Sequence, residues 1–180
     1  YIKNKITKID GSKEYITYKL RQIRQEEVVR LGWRDLAGSA DLSEVISTMS
    51  ELADASIQKA LDSAATQVSE IYGQAIGETT GKPVQMTVLG LGKLGGCELN
   101  LSSDVDLIFC FRENGKTNGA KSISNHEYFV KTGQVLIDIL SNPSPEGIVF
   151  RVDMRLRPNG DSGPLALSFD AIDHYFLTHG

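Results

Sequence analysis

The sequence predicts an α+β protein, a helical hairpin followed by a small sheet with helices. Three observations carry that expectation. Apolar residues recur at helical spacing through most of residues 14–72. Two apolar runs, Met86–Leu91 and Asp104–Phe111, are joined by a glycine turn and a connection too short for a crossover helix. Residues Ile148–Arg157 alternate apolar and charged with a period of two, the pattern of a half-buried strand.

Taken in order, residues 1–13 are polar with a Gly-Ser pair and are expected to be frayed or extended. From Glu14, the residues Ile16, Leu20, Ile23, Val28 and Leu31 mark an amphipathic helix ending near Gly32. Trp33 to Leu36 then lead to a turn through Gly38. Asp41, with Glu44 three residues on, matches a capping box. It opens a long helix whose stripe (Leu42, Val45, Met49, Leu52, Ala53, Leu61, Ala64, Val68, Ile71) reaches about Tyr72. Such a stripe is core, and its alanines allow helices to approach closely.

Residues Gly73–Pro83 hold four structure breakers and mark a boundary, giving a helical lead over 1–80 and a sheet-bearing core over 81–180. Asn114–Asn118 is expected to be a loop. Ser124 with Glu127 caps a helix through Leu140, which Asn142-Pro-Ser-Pro ends. In the alternating run, Ile148, Phe150, Val152, Met154 and Leu156 face one way, and Arg151, Asp153, Arg155 and Arg157 the other. Pro158–Pro164 is a Gly-rich loop, and Ser168–Thr178 starts a further helix. The chain begins at Tyr1 without a methionine and stops within that helix, so a truncated piece of a larger protein is expected.

Composition sets limits on function. A net charge of -4 argues against general nucleic-acid binding, because affinity for a phosphate backbone needs a basic surface. No apolar run is long enough to span a bilayer, so no membrane partner is expected. Cys97 and Cys110 lack metal-ligand spacing and read as reduced thiols, consistent with a cytoplasmic location. His126 and His174 fall on expected helices and receive no catalytic role.

The chemistry concentrates between Met86 and Phe111. Asp104 and Asp106 are two residues apart on a strand, so their carboxylates share a face and repel. A divalent cation with hard oxygen ligands, typically magnesium completed by phosphate oxygens, relieves that repulsion. A bare Asp-x-Asp also fits a solvated acidic strand end, and the glycine turn supplies the further information. Gly90-Leu-Gly-Lys-Leu-Gly matches the GxGxxG dinucleotide pattern, yet the connection Gly96–Ser103 is too short for a Rossmann crossover. The Walker A pattern fails because no Gly-Lys-Ser or Gly-Lys-Thr closes the loop. The charged face of the alternating run fits either solvent or a metal-phosphate site, since the arginine fork matches phosphate oxygens.

From Gly92 there are eleven residues to Asp104 and one more to Asp106. This G-x11-D-x-D spacing resembles the nucleotidyltransferase superfamily of the DNA polymerase beta type. The fuller wording, GLGKLGGCELNLSSDVDLIF with RVDMRLRPNGDSGPLALSF, is similar to the paired signatures of the bifunctional glutamine synthetase adenylyltransferase/adenylyl-removing enzymes. LGWRDLAGSADL resembles the segment preceding that family's first catalytic domain. The resemblance implies a nucleotidyltransferase fold with a small mixed sheet. It implies that Asp104, Asp106 and Asp153 bind one or two Mg2+ ions and are catalytic. It further implies that Gly92, Lys93 and Ser103 line a phosphate and nucleotide cradle, with Arg155 or Arg157 taking an incoming phosphate or serving as structural salt-bridge partners.

The family removes AMP from a tyrosine of glutamine synthetase by phosphorolysis in one half, and adds AMP from ATP in the other. Ser162-Gly-Pro-Leu and Leu167-Ser-Phe look more like the adenylyl-removing half. The alternatives are the adenylylating half or a degenerate module that only binds nucleotide. The implied partners are glutamine synthetase, the PII signal protein, inorganic phosphate and an adenine nucleotide.

Overall fold

A computed structural model describes residues 1–179. Six α-helices and six short strands make a mixed α+β arrangement among them, as the sequence predicts. The first helix, α1 (Ile2–Thr7), stands where a frayed start was expected. Ile2 and Ile6 are one helical turn apart and bury against α3 (Leu42–Tyr72). Two apolar anchors thus outweigh the polar composition around them.

Helix α2 (Lys13–Leu36) starts at Ser12, whose hydroxyl accepts the Tyr15 N–H. It runs one turn beyond the expected stop at Gly32, because nothing crowds that glycine and the helix continues to the turn at Gly38. Arg34 in the last turn donates to both carboxylate oxygens of Glu44, at 3.0 and 2.9 Å, and to the Ser39 carbonyl. Asp41 accepts the Glu44 N–H at 2.7 Å and opens α3, which ends at Tyr72 as expected. Ala53, Ala60 and Ala64 are fully buried along it, so α2 and α3 pack as the hairpin that their stripes imply.

Two segments expected to be loops pair instead. Strand β1 (Ala75–Gly77) runs antiparallel to β4 (Gly115–Thr117), with Ala75 opposite Thr117. The glycines that suggested loops are what permit the contact. A Cβ on Gly115, at φ +151°, would stand 2.0 Å from the Ile76 carbonyl oxygen.

The main sheet is built on β3 (Val105–Phe111), which pairs antiparallel with β2 (Met86–Leu91) along its whole length. A one-turn helix, α4 (Gly92–Gly95), lies between them. The hairpin connection excludes a Rossmann crossover. The opposite edge of β3 is shared. Strand β5 (Val152–Asp153) runs parallel to its start, and β6 (Ala166–Ser168) runs parallel to its end.

The expected ten-residue strand over Ile148–Arg157 is therefore a correction: only two residues are strand. Val149 and Phe150 both donate to the Leu140 carbonyl, and both side chains are buried, which breaks the alternation. After Met154 the chain turns, leaving Leu156 exposed. Composition supplied the period, but β6 occupies the rest of the ladder edge.

Helix α5 (Asn125–Ser141) begins where Ser124 accepts the Glu127 N–H, and α6 (Phe169–His179) follows β6. One face of the sheet, with Leu107, Phe109 and Phe111, joins α3 and α5 in a core that reaches back to Ile2. Phe111 stacks on Phe129 with ring centroids 4.8 Å apart. Burying each such side chain contributes roughly 1.5–3 kcal/mol. The other face carries Ile108 and Cys110 against Ile172 of α6, and at its open end Asp106.

Candidate active site

The register of the sheet assembles the site. Leu91, the last residue of β2, lies opposite Asp106, so the glycine turn starts beside that carboxylate. Asp153 is the register partner of Asp106 on the neighbouring parallel strand. Register partners on adjacent strands project to one face. Asp104 sits two residues before Asp106, and the Val105 N–H donates to the Arg151 carbonyl at 2.9 Å, tying the two aspartate-bearing segments together.

The glycine is specific in its place. Gly92 has φ +53°, and a Cβ there would come within 2.5 Å of Asp106 Oδ2. Any side chain would strain the backbone and strike the carboxylate. Lys93 follows, exposed on α4. Ser103 lies at the far end of the connection, and its hydroxyl donates to Asn100 Oδ1 at 2.7 Å. The same oxygen accepts the Ser102 N–H at 3.2 Å, so Asn100 organises the approach to Asp104. Sequence reasoning assigned Asn100 no role, although an Asn able to accept from its own backbone two residues on, as in Asn100-Leu-Ser-Ser, is the signal of a side-chain-closed turn.

The arginines take different positions. Arg151, which the sequence placed on the charged face without naming it as a site residue, donates through Nε to Asp104 Oδ1 at 2.5 Å. Arg155 holds Asp153 from Nε, at 3.0 and 2.9 Å to its two oxygens, and again from Nη2. Arg155 is 73% exposed while the Asp153 side chain is 15% exposed. Arg157 is turned inward, 9% exposed, with Nη1 donating to the Met154 carbonyl at 2.7 Å. It pins the loop after β5. Asp104, Arg151, Asp153, Arg155 and Asp161 line an open groove of about 490 Å³.

The electrostatics are uneven. Burial, then the charges of Asp153 and Asp104, push the Asp106 carboxyl above its ordinary range. The Arg155 hydrogen bonds hold the Asp153 carboxyl below it, and Asp153 in turn raises the Arg155 pKa. Among the described residues no three His, Cys, Asp or Glu side chains are drawn together as a ready cation cage. The physical reason is visible, since Arg151 and Arg155 each draw off one aspartate. The donor chemistry is that of a hard-cation site: Asp104 just before β3, Asp106 on it and Asp153 on β5 all offer carboxylate oxygens, and burial, then neighbouring negative charge, disfavours the ionised form of Asp106. On this face of the sheet burial pushes the Cys110 thiol up to about 11, and His126 and His174 are exposed on α5 and α6. Among the described residues no helix is long and apolar enough to cross a membrane.

Comparison with known proteins adds the following. A family model described as glutamate-ammonia ligase adenylyltransferase matches residues 2–180. The chain is similar to the bifunctional glutamine synthetase adenylyltransferase/adenylyl-removing enzyme of Chromobacterium violaceum, 53% identical over 167 residues, covering 93% of this chain and 19% of the relative. The enzymes of the same description from Nitrosomonas europaea and Nitrosococcus oceani are 52% and 51% identical, each over 89% of this chain and over 18% and 17% of their own lengths. The chain thus spans under a fifth of the length of these relatives.

Proposed function

This chain belongs to the glutamate-ammonia ligase adenylyltransferase family, and from that premise we propose that it carries the adenylyl-removing nucleotidyltransferase site. The observation that carries the nucleotidyltransferase site is the side-by-side register of Asp106 and Asp153, with Gly92 backed against Asp106; the direction rests on the likeness of Ser162-Gly-Pro-Leu and Leu167-Ser-Phe to the adenylyl-removing half. Asp104, Asp106 and Asp153 would hold one or two magnesium ions, which supply positive charge to the phosphoryl oxygens. Gly92 lets backbone approach the phosphates where a Cβ would block them. Lys93, exposed at the turn, adds a mobile cation, and Ser103 stands at the opposite end of the cradle.

In the reaction proposed, an oxygen of inorganic phosphate attacks the AMP phosphorus, and the bond from that phosphorus to the tyrosine oxygen of glutamine synthetase breaks. The phenolate leaves and takes up a proton, and the product nucleotide is ADP. Arg151 and Arg155 are both exposed on this groove, and Arg155, bonded to Asp153, offers a planar fork that would turn from that carboxylate to an incoming phosphate. Arg157, bound to backbone carbonyls, serves by holding the loop that Arg155 borders. Residues 81–180 hold the site and the helical lead 1–80 supports it. Cytoplasmic action, an adenine nucleotide as ligand and PII as regulator belong to the same proposal.

The test is to incubate the protein, within the amino-terminal half to which the reading assigns it, with adenylylated glutamine synthetase, magnesium and phosphate. Phosphate-dependent release of ADP supports the reading. Transfer of AMP from ATP to unmodified glutamine synthetase, without such release, would assign the chain to the adenylylating half.

A further inference from the structure

One guanidinium near the groove belongs to neither aspartate-bearing segment. Arg24 projects from the middle of α2 with its Cζ 5.2 Å from the ring centroid of Phe150, within cation–π range. Its Nη2 lies 3.5 Å from the Leu101 carbonyl oxygen. Leu101 precedes Asp104 by three residues, and the fully buried Phe150 precedes Asp153 by three. The Arg24 Nε is buried without a hydrogen-bond partner. Burial, with Arg151 nearby, holds its pKa below the ordinary value. A half-buried cation without a carboxylate is costly, so something other than charge pairing explains its place. The second lead helix grips the same loop, since Ser50 of α3 accepts the Leu99 N–H at 3.2 Å.

We propose that Arg24 is a positioning residue for the carboxylate groove, its guanidinium clamping the Leu101 carbonyl to the Phe150 ring and so fixing how Asp104 stands relative to Asp153. The functional consequence rests on the cation-site reading above; the mechanical one does not. Arg21, one turn earlier on α2, is the matched control. It is the more buried of the two, also has an unpartnered Nε, and donates to the Asn142 carbonyl at 2.5 Å, outside both aspartate-bearing segments.

The experiment compares Arg24→Met, Arg24→Lys and Arg21→Met in the full chain by two readouts. The first is Mn2+ titration followed by electron paramagnetic resonance. The second is amide hydrogen exchange at Val105, whose N–H bonds the Arg151 carbonyl across the two segments. Arg24→Met should weaken Mn2+ binding by roughly tenfold to a hundredfold, the usual effect of losing support behind metal ligands, and should speed exchange at Val105. Arg24→Lys should recover part of both, because an ammonium reaches one partner but not two. Arg21→Met should lower the melting temperature to a similar degree and leave both readouts alone. Equal changes in Arg24→Met and Arg21→Met, or none in Arg24→Met, would overturn the proposal. If the wild-type chain binds no Mn2+, the cation-site reading falls, and Val105 exchange alone decides the clamp. If Arg24→Met does not fold, Arg24→Lys against Arg21→Met decides it by the same measures.

Discussion

Asp106 and Asp153 are register partners, yet they stand in opposite circumstances. Asp106 belongs to a seven-residue strand in the middle of the sheet, with Gly92 packed on its carboxylate and no arginine bonded to it. Asp153 belongs to a two-residue strand and is wrapped by its own neighbour, Arg155. Their carboxyl pKa values are pushed in opposite directions accordingly. The difference separates two jobs that the sequence presents as one. The central carboxylate is backed by the Gly92 backbone and bonded to no arginine among the described residues, while the peripheral one is neutralised by an exposed arginine.

Gly92→Ala should break the arrangement most fully. The added Cβ meets Asp106 Oδ2 at 2.5 Å at a left-handed φ, so a stability loss of about 1–3 kcal/mol is expected. Phosphate-dependent ADP release should fall to about a hundredth or below, the scale of losing a preorganised electrostatic group. Thermal melts and single-turnover assays check the two parts.

Asp106→Asn and Asp153→Asn should sharpen the contrast. Asp106→Asn should abolish activity to a similar extent while leaving stability equal or higher. The sign follows from linkage. A carboxyl whose folded pKa is raised costs stability once it ionises, so wild-type stability drops as pH rises through that raised pKa, and the Asn variant escapes the drop. Asp153, held low, contributes stability above the ordinary carboxylate range, and that contribution disappears as pH falls through its lowered pKa. Asp153→Asn should therefore be the less stable variant at neutral pH and should converge on wild type in acid. Melting curves across the acid range test both signs. The relief of repulsion that the Asp-x-Asp pair suggests belongs to Asp106, because Asp104 has Arg151 as its partner.

Arg155→Ala should have a smaller effect. It should raise the phosphate concentration needed for half-maximal rate by about tenfold, the size of one charge-assisted hydrogen bond, and leave the fold unchanged. Lys93→Ala, exposed on α4, should alter stability by no more than about 0.5 kcal/mol. Steady-state kinetics over phosphate and a melting curve measure these.

The regions that sequence made legible are those whose local signals agree with their packing. Asp41 and Ser124 start helices because their side chains accept an N–H three residues on, a purely local event. Met86–Leu91 and Val105–Phe111 form a hairpin because both runs are apolar and the glycine turn lets them double back. Residues 148–157 misled because alternation records which side chains differ in polarity, not which ladder edge is free, and β6 takes most of that edge. The pairing of β1 with β4 was invisible because glycines at close backbone approach look like loop glycines. Arg24 and Arg151 were missed for another reason. Their partners lie 77 and 47 residues away in the chain, a distance that no local pattern spans.

The central claim, that Asp104, Asp106 and Asp153 hold a divalent cation together, is tested most directly by a crystal of the protein soaked with Mn2+ and an adenine nucleotide. Anomalous density among the three carboxylates, with Arg155 released from Asp153, is the expected result. Mn2+ bound elsewhere, or Arg155 still holding both oxygens of Asp153 beside a bound nucleotide, would contradict it.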